Sequence, residues 1–232
     1  MTTTDLETRE AAPRQDNQDP ALFGQTPSQT VGPYFHYGLA WKGGADLVQR
    51  SEMGARLDLI PPEHYVLGDS NVSGTPQGEV ILVAGCVYDA GGNPVPDAMI
   101  ELWQANAAGR YASPEDDRED VPLDANFIGF GRSSTDVKGV YRFRTIRPGR
   151  VPGPGNTLQA PHLALSIFAR GVIKRLPTRL YFADGEGNDT DPILTLVPEE
   201  RRQTLIAQRK PDGTWWLDIH LQGTNETVFF DL

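Results

Sequence analysis

Short apolar runs, each stopped by a cluster of turn residues, constrain this chain more than any other feature. Glu79–Val87 (EVILVAGCV) is rich in β-branched residues and ends in Asp89-Ala90-Gly91-Gly92-Asn93-Pro94. Ala98–Ala105 alternates Met99, Glu101 and Trp103 against Ile100, Leu102 and Gln104. Val140–Ile146 places Arg142 and Arg144 on one face and Tyr141 and Phe143 on the other. His162–Arg170, Thr178–Phe182 and Glu226–Asp231 follow, and Thr204–Gln208 and Thr214–Leu221 flank a Lys210-Pro211-Asp212-Gly213 turn. A side-chain period of two with frequent turn signals is the pattern of strands. With 24 glycines and 19 prolines in 232 residues, long helices are disfavoured. The chain is expected to be all-β, a β-sandwich core with long loops and few short helices. Pro198–Arg202 suits one or two helical turns, proline first and acids before bases, and Gly43–Glu63 a further short helical piece. Residues 147–161 (RPGRVPGPGNTLQAP) are expected to be a loop.

The polar, mixed-charge stretch before residue 26 offers little to bury. It is expected to be a flexible N-terminal tail over residues 1–25, with the folded domain spanning 26–232. It lacks the apolar core of a signal peptide, and no run is long enough to span a bilayer, so a cytoplasmic location is the default. A net charge of −10 disfavours nonspecific binding to nucleic acid or to anionic membranes. One cysteine, Cys86, excludes an internal disulfide or a multi-thiolate metal site. Lying in an apolar strand, it reads as an inert buried thiol.

Candidate sites are few. His36, His64, His162 and His220 form no local two-histidine clip. Asp184–Asp191 resembles a calcium loop superficially, but it has Asp189 at the sixth position and Thr195 at the twelfth, so it reads as an acidic turn. Ser113–Asp120 reads as a solvated loop. Nucleophile-elbow and phosphate-loop motifs are absent. Gly129-Phe130-Gly131, in a β context, reads as a backbone-packing feature. Two features remain. Thr26–Phe35 (TPSQTVGPYF) is held extended by two prolines, and Gly32 permits close approach of a ligand or another chain. It is either an ordered arm packed on the sandwich or part of a site. His162–Arg170 places His162, Ala164, Ser166, Phe168 and Arg170 on one face, opposite Leu163, Leu165, Ile167 and Ala169. Arg170 is either a surface cap or a planar fork for a carboxylate.

TPSQTVGPYFHYGL (26–39), GCVYDAGGNPVPDAMIELWQANAAGRY (85–111), PLDANFIGFGR (122–132), YRFRTIRPG (141–149), APHLALSIFARG (160–171) and the terminal ETVFFDL resemble, in order, the intradiol ring-cleaving dioxygenases. The resemblance implies a β-sandwich and, in the catalytic chains, a non-haem Fe(III) held by two tyrosines and two histidines spaced i, i+2. Here the histidines fall on His162 and Ala164, one tyrosine on or near Glu119 and the other near Val151. Ala164 and Val151 offer no ligand atom. The resemblance therefore implies the non-metal alpha subunit of a hetero-oligomer of alpha–beta units, inactive alone, with Fe(III) in the partner beta subunit. The implied reaction is intradiol cleavage of 3,4-dihydroxybenzoate by O2 to 3-carboxy-cis,cis-muconate. The implied substrate-binding residues are Arg170, Gly32, Pro33, Thr30 and Tyr34, completing the partner's pocket. Ala164 to Arg170 spans roughly 20 Å of strand, which suits a partner's pocket better than this chain's own metal position. Two other readings stay open: a non-catalytic binding or structural module derived from the family, and a self-sufficient dioxygenase with a different ligand set.

Overall fold

The structure, a computed structural model, describes residues 30, 44–49, 51, 53, 54 and 74–231. Within them lie eleven strands: β1 (Val80–Tyr88), β2 (Met99–Trp103), β3 (Phe130–Ser134), β4 (Val140–Ile146), β5 (Val151–Pro152), β6 (Leu158–Gln159), β7 (His162–Phe168), β8 (Leu176–Phe182), β9 (Ile206–Arg209), β10 (Trp215–Trp216) and β11 (Ile219–His220). The all-β expectation holds. Helix among the described residues is one turn of α-helix, Glu199–Arg202, and three 3₁₀ turns. That helix starts after Pro198 with two acids and ends with two arginines, matching charge to the backbone dipole at each end.

Two groups of strands enclose the core. On one side β1 pairs antiparallel with β4, from Val80↔Ile146 to Cys86↔Val140, and parallel with β10 and β11. On the other, β2 pairs antiparallel with both β3 and β7, and β7 with β8. β9 joins the groups: its start runs parallel to β8 and its end antiparallel to β10. The inward residues of both groups form one cluster, with Val83, Tyr141, Phe143 and Trp215 facing Ile100, Leu102, Leu165, Ile167 and Phe182. Burying such side chains contributes about 1.5–3 kcal/mol each against the entropy of ordering the chain.

Three local expectations change. Residues 147–161 are not wholly loop: β5 and β6 pair as a small hairpin, Val151↔Gln159 and Pro152↔Leu158. Glu226–Asp231 is not a ladder strand, because its backbone bonds go to different partners. The Thr227 N–H donates to the His220 carbonyl at 3.0 Å, and the Phe230 N–H donates to the Pro177 carbonyl at 2.8 Å. Gly129-Phe130-Gly131 is the backbone-packing feature expected, a Cβ at Gly129 falling 2.3 Å from the Gln104 carbonyl oxygen and one at Gly131 2.7 Å from that of Gly44, and it leads into a full strand, β3. Of Gly43–Glu63, residues 44–49 form turns and an isolated bridge from Asp46 to Arg144, with no helix. The rest of that span, apart from 51, 53 and 54, lies outside the described residues, as does the expected tail over 1–25. Among the described residues no helix is long and apolar enough to cross a membrane.

Cys86 is buried, as expected. Its thiol donates to the Lys138 carbonyl at 3.2 Å, and burial pushes its pKa up. The Lys210–Gly213 turn is also as read: the Lys210 N–H bonds the Thr214 carbonyl at 2.8 Å, and Gly213 takes φ +87°.

Among the described glycines the closest backbone approach lies at Gly85 in β1. A Cβ there would fall 1.7 Å from the Leu217 carbonyl oxygen, which already accepts the Tyr141 hydroxyl at 2.7 Å. Gly171, at φ +79°, has nothing within 4 Å of its Cβ position. Gly85→Ala should therefore cost at least about 2 kcal/mol through overpacking, and Gly171→Ala about 1–2 kcal/mol through left-handed strain alone. Urea midpoints of the two variants check the order.

Candidate functional site

Strand β7 divides its side chains between core and site. Leu163, Leu165, Ile167 and Ala169 are 0–1% exposed and fill the core. Ala164, Ser166 and Phe168 project to the opposite face and are half-buried. Pairing sets their neighbours there: Ala164 lies opposite Trp103 on β2 and opposite Arg179 on β8, and His162 lies opposite Tyr181. A cavity of about 710 Å³ opens on this face, between the sheet, the segment around Leu196–Pro198 and the chain end around Phe230.

His162 is 6% exposed. One ring nitrogen, Nδ1, is 2.8 Å from the Ala160 carbonyl, which can only accept, so Nδ1 carries the proton. The ring leans on Tyr181, with centroids 5.6 Å apart. Burial first, and the Arg179 charge second, hold its pKa down to about 4. Tyr181 donates to Asp191 Oδ1 at 3.2 Å, and burial pushes its pKa up. Asp191, fully buried, also accepts the backbone N–H groups of Ala160, Ile193 and Leu194 at 2.7–2.8 Å. It is the anchor of the loop that roofs the site, so the acidic turn read from the sequence has a structural purpose. Arg179 Nη1 donates to Gln159 Oε1 at 2.6 Å and to the Tyr181 hydroxyl at 3.1 Å.

A ferric ion does not fit these residues. Ala164 and Val151 carry no donor atom, Glu119 is exposed, and His162 alone offers a free imidazole nitrogen. Among the described residues no three His, Cys, Asp or Glu side chains gather. A guanidinium stands opposite Ala164, where a trivalent cation would be repelled.

The expected substrate-binding residues fall elsewhere. Arg170 follows the end of β7, its side chain 60% exposed, and its Nε pairs with the Asp97 carboxylate. Beside it, the Gly171 N–H donates to the Thr30 hydroxyl at 2.8 Å, so the structure brings Thr30 and Arg170 together. Gly32, Pro33 and Tyr34 lie outside the described residues.

Sequence reasoning missed Asp97, Gln159, Arg179 and Tyr181. Arg179 carried a signal: a lone charge inside the strand pattern TRLYF, on the face opposite Leu180. Ser113–Asp120 is also more ordered than a solvated loop. Arg118 binds Asp116 through two nitrogens at 2.8 and 2.6 Å, and the Tyr111 N–H adds a third bond at 2.8 Å. The Arg118 contact chiefly draws the Asp116 pKa down to about 2.

Comparison with known proteins places this arrangement in a family. A family profile described as "Dioxygenase" matches residues 64–214. The protocatechuate 3,4-dioxygenase alpha chain of Pseudomonas putida is 39% identical over 216 residues, covering 90% of this chain and 98% of that one. The beta chain of the same-named enzyme from Burkholderia cepacia is 40% identical over 179 residues, covering 73% and 76%. Among solved structures, the dioxygenase domain of a carbohydrate-binding fusion protein from Streptomyces sp. SirexAA-E superposes with a TM-score of 0.51 at 21% identity, over 86% of this chain and 97% of that one, a likeness of fold. The sandwich, the matched length and the strand carrying His162 agree: this chain belongs to the intradiol ring-cleaving dioxygenase family.

Proposed function

We propose that this chain is the alpha subunit of a protocatechuate 3,4-dioxygenase, assembled with an iron-bearing beta subunit. The complex opens the ring of 3,4-dihydroxybenzoate with O2 to give 3-carboxy-cis,cis-muconate. The observation that carries this reading is the register pair Ala164↔Arg179: a methyl group and a guanidinium sit on the sheet face where a self-sufficient family member needs a second imidazole. The near-complete match to an alpha chain, against a partial match to a beta chain, supports the same assignment. The ferric ion and the oxygen chemistry belong to the partner.

This chain's residues position substrate. Arg170 presents its guanidinium to the substrate carboxylate at the subunit boundary, and Asp97 holds its Nε edge. Thr30, pinned to the Gly171 N–H, stands at the same place. Gly32, Pro33 and Tyr34 are assigned to the same substrate pocket, to help exclude water from it. An interface that completes a pocket must be large and stable.

Iron analysis of the folded chain made without a partner tests the assignment. Negligible iron is expected; about one iron per chain, with tyrosinate–iron colour, would make the chain a catalyst in its own right. In the assembled complex, Arg170→Ala should lower kcat/KM for 3,4-dihydroxybenzoate roughly ten- to a hundredfold, the worth of one charged hydrogen bond. An assembled variant with unchanged kcat/KM removes Arg170 from the site. Gly32→Val should weaken substrate affinity while leaving the fold intact, and unchanged affinity counts against the arm.

If His162 serves packing rather than metal binding, its protonation matters for stability. Its folded pKa lies near 4, below the ordinary 6.5, so the unfolded chain binds the extra proton. Stability falls as pH drops through about 6.5 and continues falling to about 4. His162→Gln should flatten that part of the acid-unfolding profile, measured by urea titration at stepped pH. A profile unchanged between pH 6.5 and 4 would show that the imidazole is already charged in the fold.

A further inference from the structure

The carboxylate paired with Arg170 is placed by the sheet. β2 and β7 run antiparallel with Met99 opposite Phe168. The same register, carried two residues past that pair, sets Asp97 opposite Arg170, and the two side chains meet there. Their inner neighbours, Ala98 and Ala169, are fully buried in the core. An opposite-charge pair across two antiparallel strands is thus a product of the register that fills the core.

The segment carrying Asp97 is also held from its other side. Thr135, fully buried, donates its hydroxyl to the Val95 carbonyl at 2.7 Å and accepts the Ala98 N–H at 3.0 Å. The Thr135 N–H donates to the Ala98 carbonyl at 2.9 Å, and the Val95 N–H donates to the Val87 carbonyl at 2.9 Å. Pro96 between them has a fixed φ. Asp97 therefore stands on a rigid seat, its side chain 15% exposed against 60% for Arg170. On the arginine side, the Val172 N–H donates to the Ala169 carbonyl at 3.2 Å, and Gly171 at φ +79° turns the chain away after Arg170.

A negative charge beside Arg170 has two opposed effects on a substrate carboxylate. It repels the incoming anion, and it takes rotamers away from a long side chain that binding would otherwise have to order. A carboxylate on a loose loop would supply mainly the repulsion. One seated by the register and by the Thr135 clasp supplies the order. It engages Nε, and among the described residues no side chain engages either Nη nitrogen of Arg170.

We infer that Asp97 is a positioning residue, acting on the substrate carboxylate through Arg170. This role rests on the assignment of Arg170 to the substrate made above. Asp97 supplies no contact to substrate itself; it fixes the guanidinium that does.

A double-mutant cycle in the assembled complex tests this role. The wild type, Asp97→Ala, Arg170→Ala and the double variant are compared in kcat/KM for 3,4-dihydroxybenzoate. Asp97→Ala alone should lower it roughly three- to tenfold. The same change made in Arg170→Ala should alter it less than about twofold, because the group it positions is gone. The Thr135 clasp runs through backbone atoms of Val95 and Ala98, so it survives loss of the Asp97 side chain. Gel filtration and thermal melts confirm assembly and folding. Should Asp97→Ala fail to assemble, Asp97→Asn keeps the shape of the side chain and goes through the same cycle. An Asp97 effect that persists in full without Arg170 would mark a purely structural residue and overturn the role. Unchanged or raised kcat/KM in Asp97→Ala, with Arg170→Ala impaired, would show that the carboxylate only damps the charge; the role of Asp97 would fall and that of Arg170 would stand. A silent Arg170→Ala would remove both.

Discussion

One strand carries two incompatible demands, and the rest of the molecule is arranged around meeting both. β7 must bury Leu163, Leu165 and Ile167 in the core and also present Ala164 and Ser166 to the cavity. Because the period is two, a slip of one residue would exchange the faces completely. The register is held from both sides, by β2 through Met99↔Phe168 to Trp103↔Ala164 and by β8 through His162↔Tyr181 to Ile167↔Leu176. A strand clamped between two antiparallel neighbours cannot slide without breaking both ladders. The position of Arg179 opposite Ala164 is therefore a consequence of core packing, not a local accident.

The consequences reach the roof of the cavity. Asp191 ties β7's lead-in at Ala160 to the turn at Ile193–Leu194 and to Tyr181 on β8. Leu194, Val197, Leu205 and Tyr181 then pack as a second, smaller core with Ala160. Buried and accepting four bonds, this carboxylate is satisfied in place, and cutting any one bond would leave a buried charge short of a partner. The roof is thus fixed to the sheet by polar bonds underneath and apolar packing above, which keeps the cavity open rather than collapsed.

Much of this was legible in the chain. Alternation alone identifies β4 and β7 and assigns their faces correctly, because those strands are half-buried and their two faces differ in chemistry. β3 was missed for the opposite reason: Phe130-Gly131-Arg132-Ser133-Ser134 buries only glycine and serine on its inner side, so no apolar rhythm announces it. The β5–β6 hairpin hides among prolines and glycines that ordinarily signal loop. The 226–231 segment has strand composition, yet its bonds are shared between His220 and Pro177, a long-range arrangement that no local pattern encodes. For the site, a missing donor can be read directly from Ala164. The side chain that faces it cannot, because Arg179 comes opposite Ala164 only through pairing of strands fifteen positions apart.

The two arginines on this sheet show how one residue type acquires different properties from its surroundings. Arg170 stands in solvent with a carboxylate of its own, so its charge is partly offset and its geometry is set by Asp97. Such a group orients well but attracts weakly in the free chain, and it gains strength only when a partner excludes water around it. Arg179 is half-buried among a phenol, an amide and an aromatic ring, and the Tyr181 hydroxyl links it to the buried Asp191 carboxylate. Its charge is less screened than that of Arg170 and bears on the neighbouring Ala164 position, where it opposes a metal cation. The difference follows from depth: exposure lets Arg170 accept a direct ion pair at little cost, whereas burial leaves Arg179 tied through neutral groups to the carboxylate that anchors the roof.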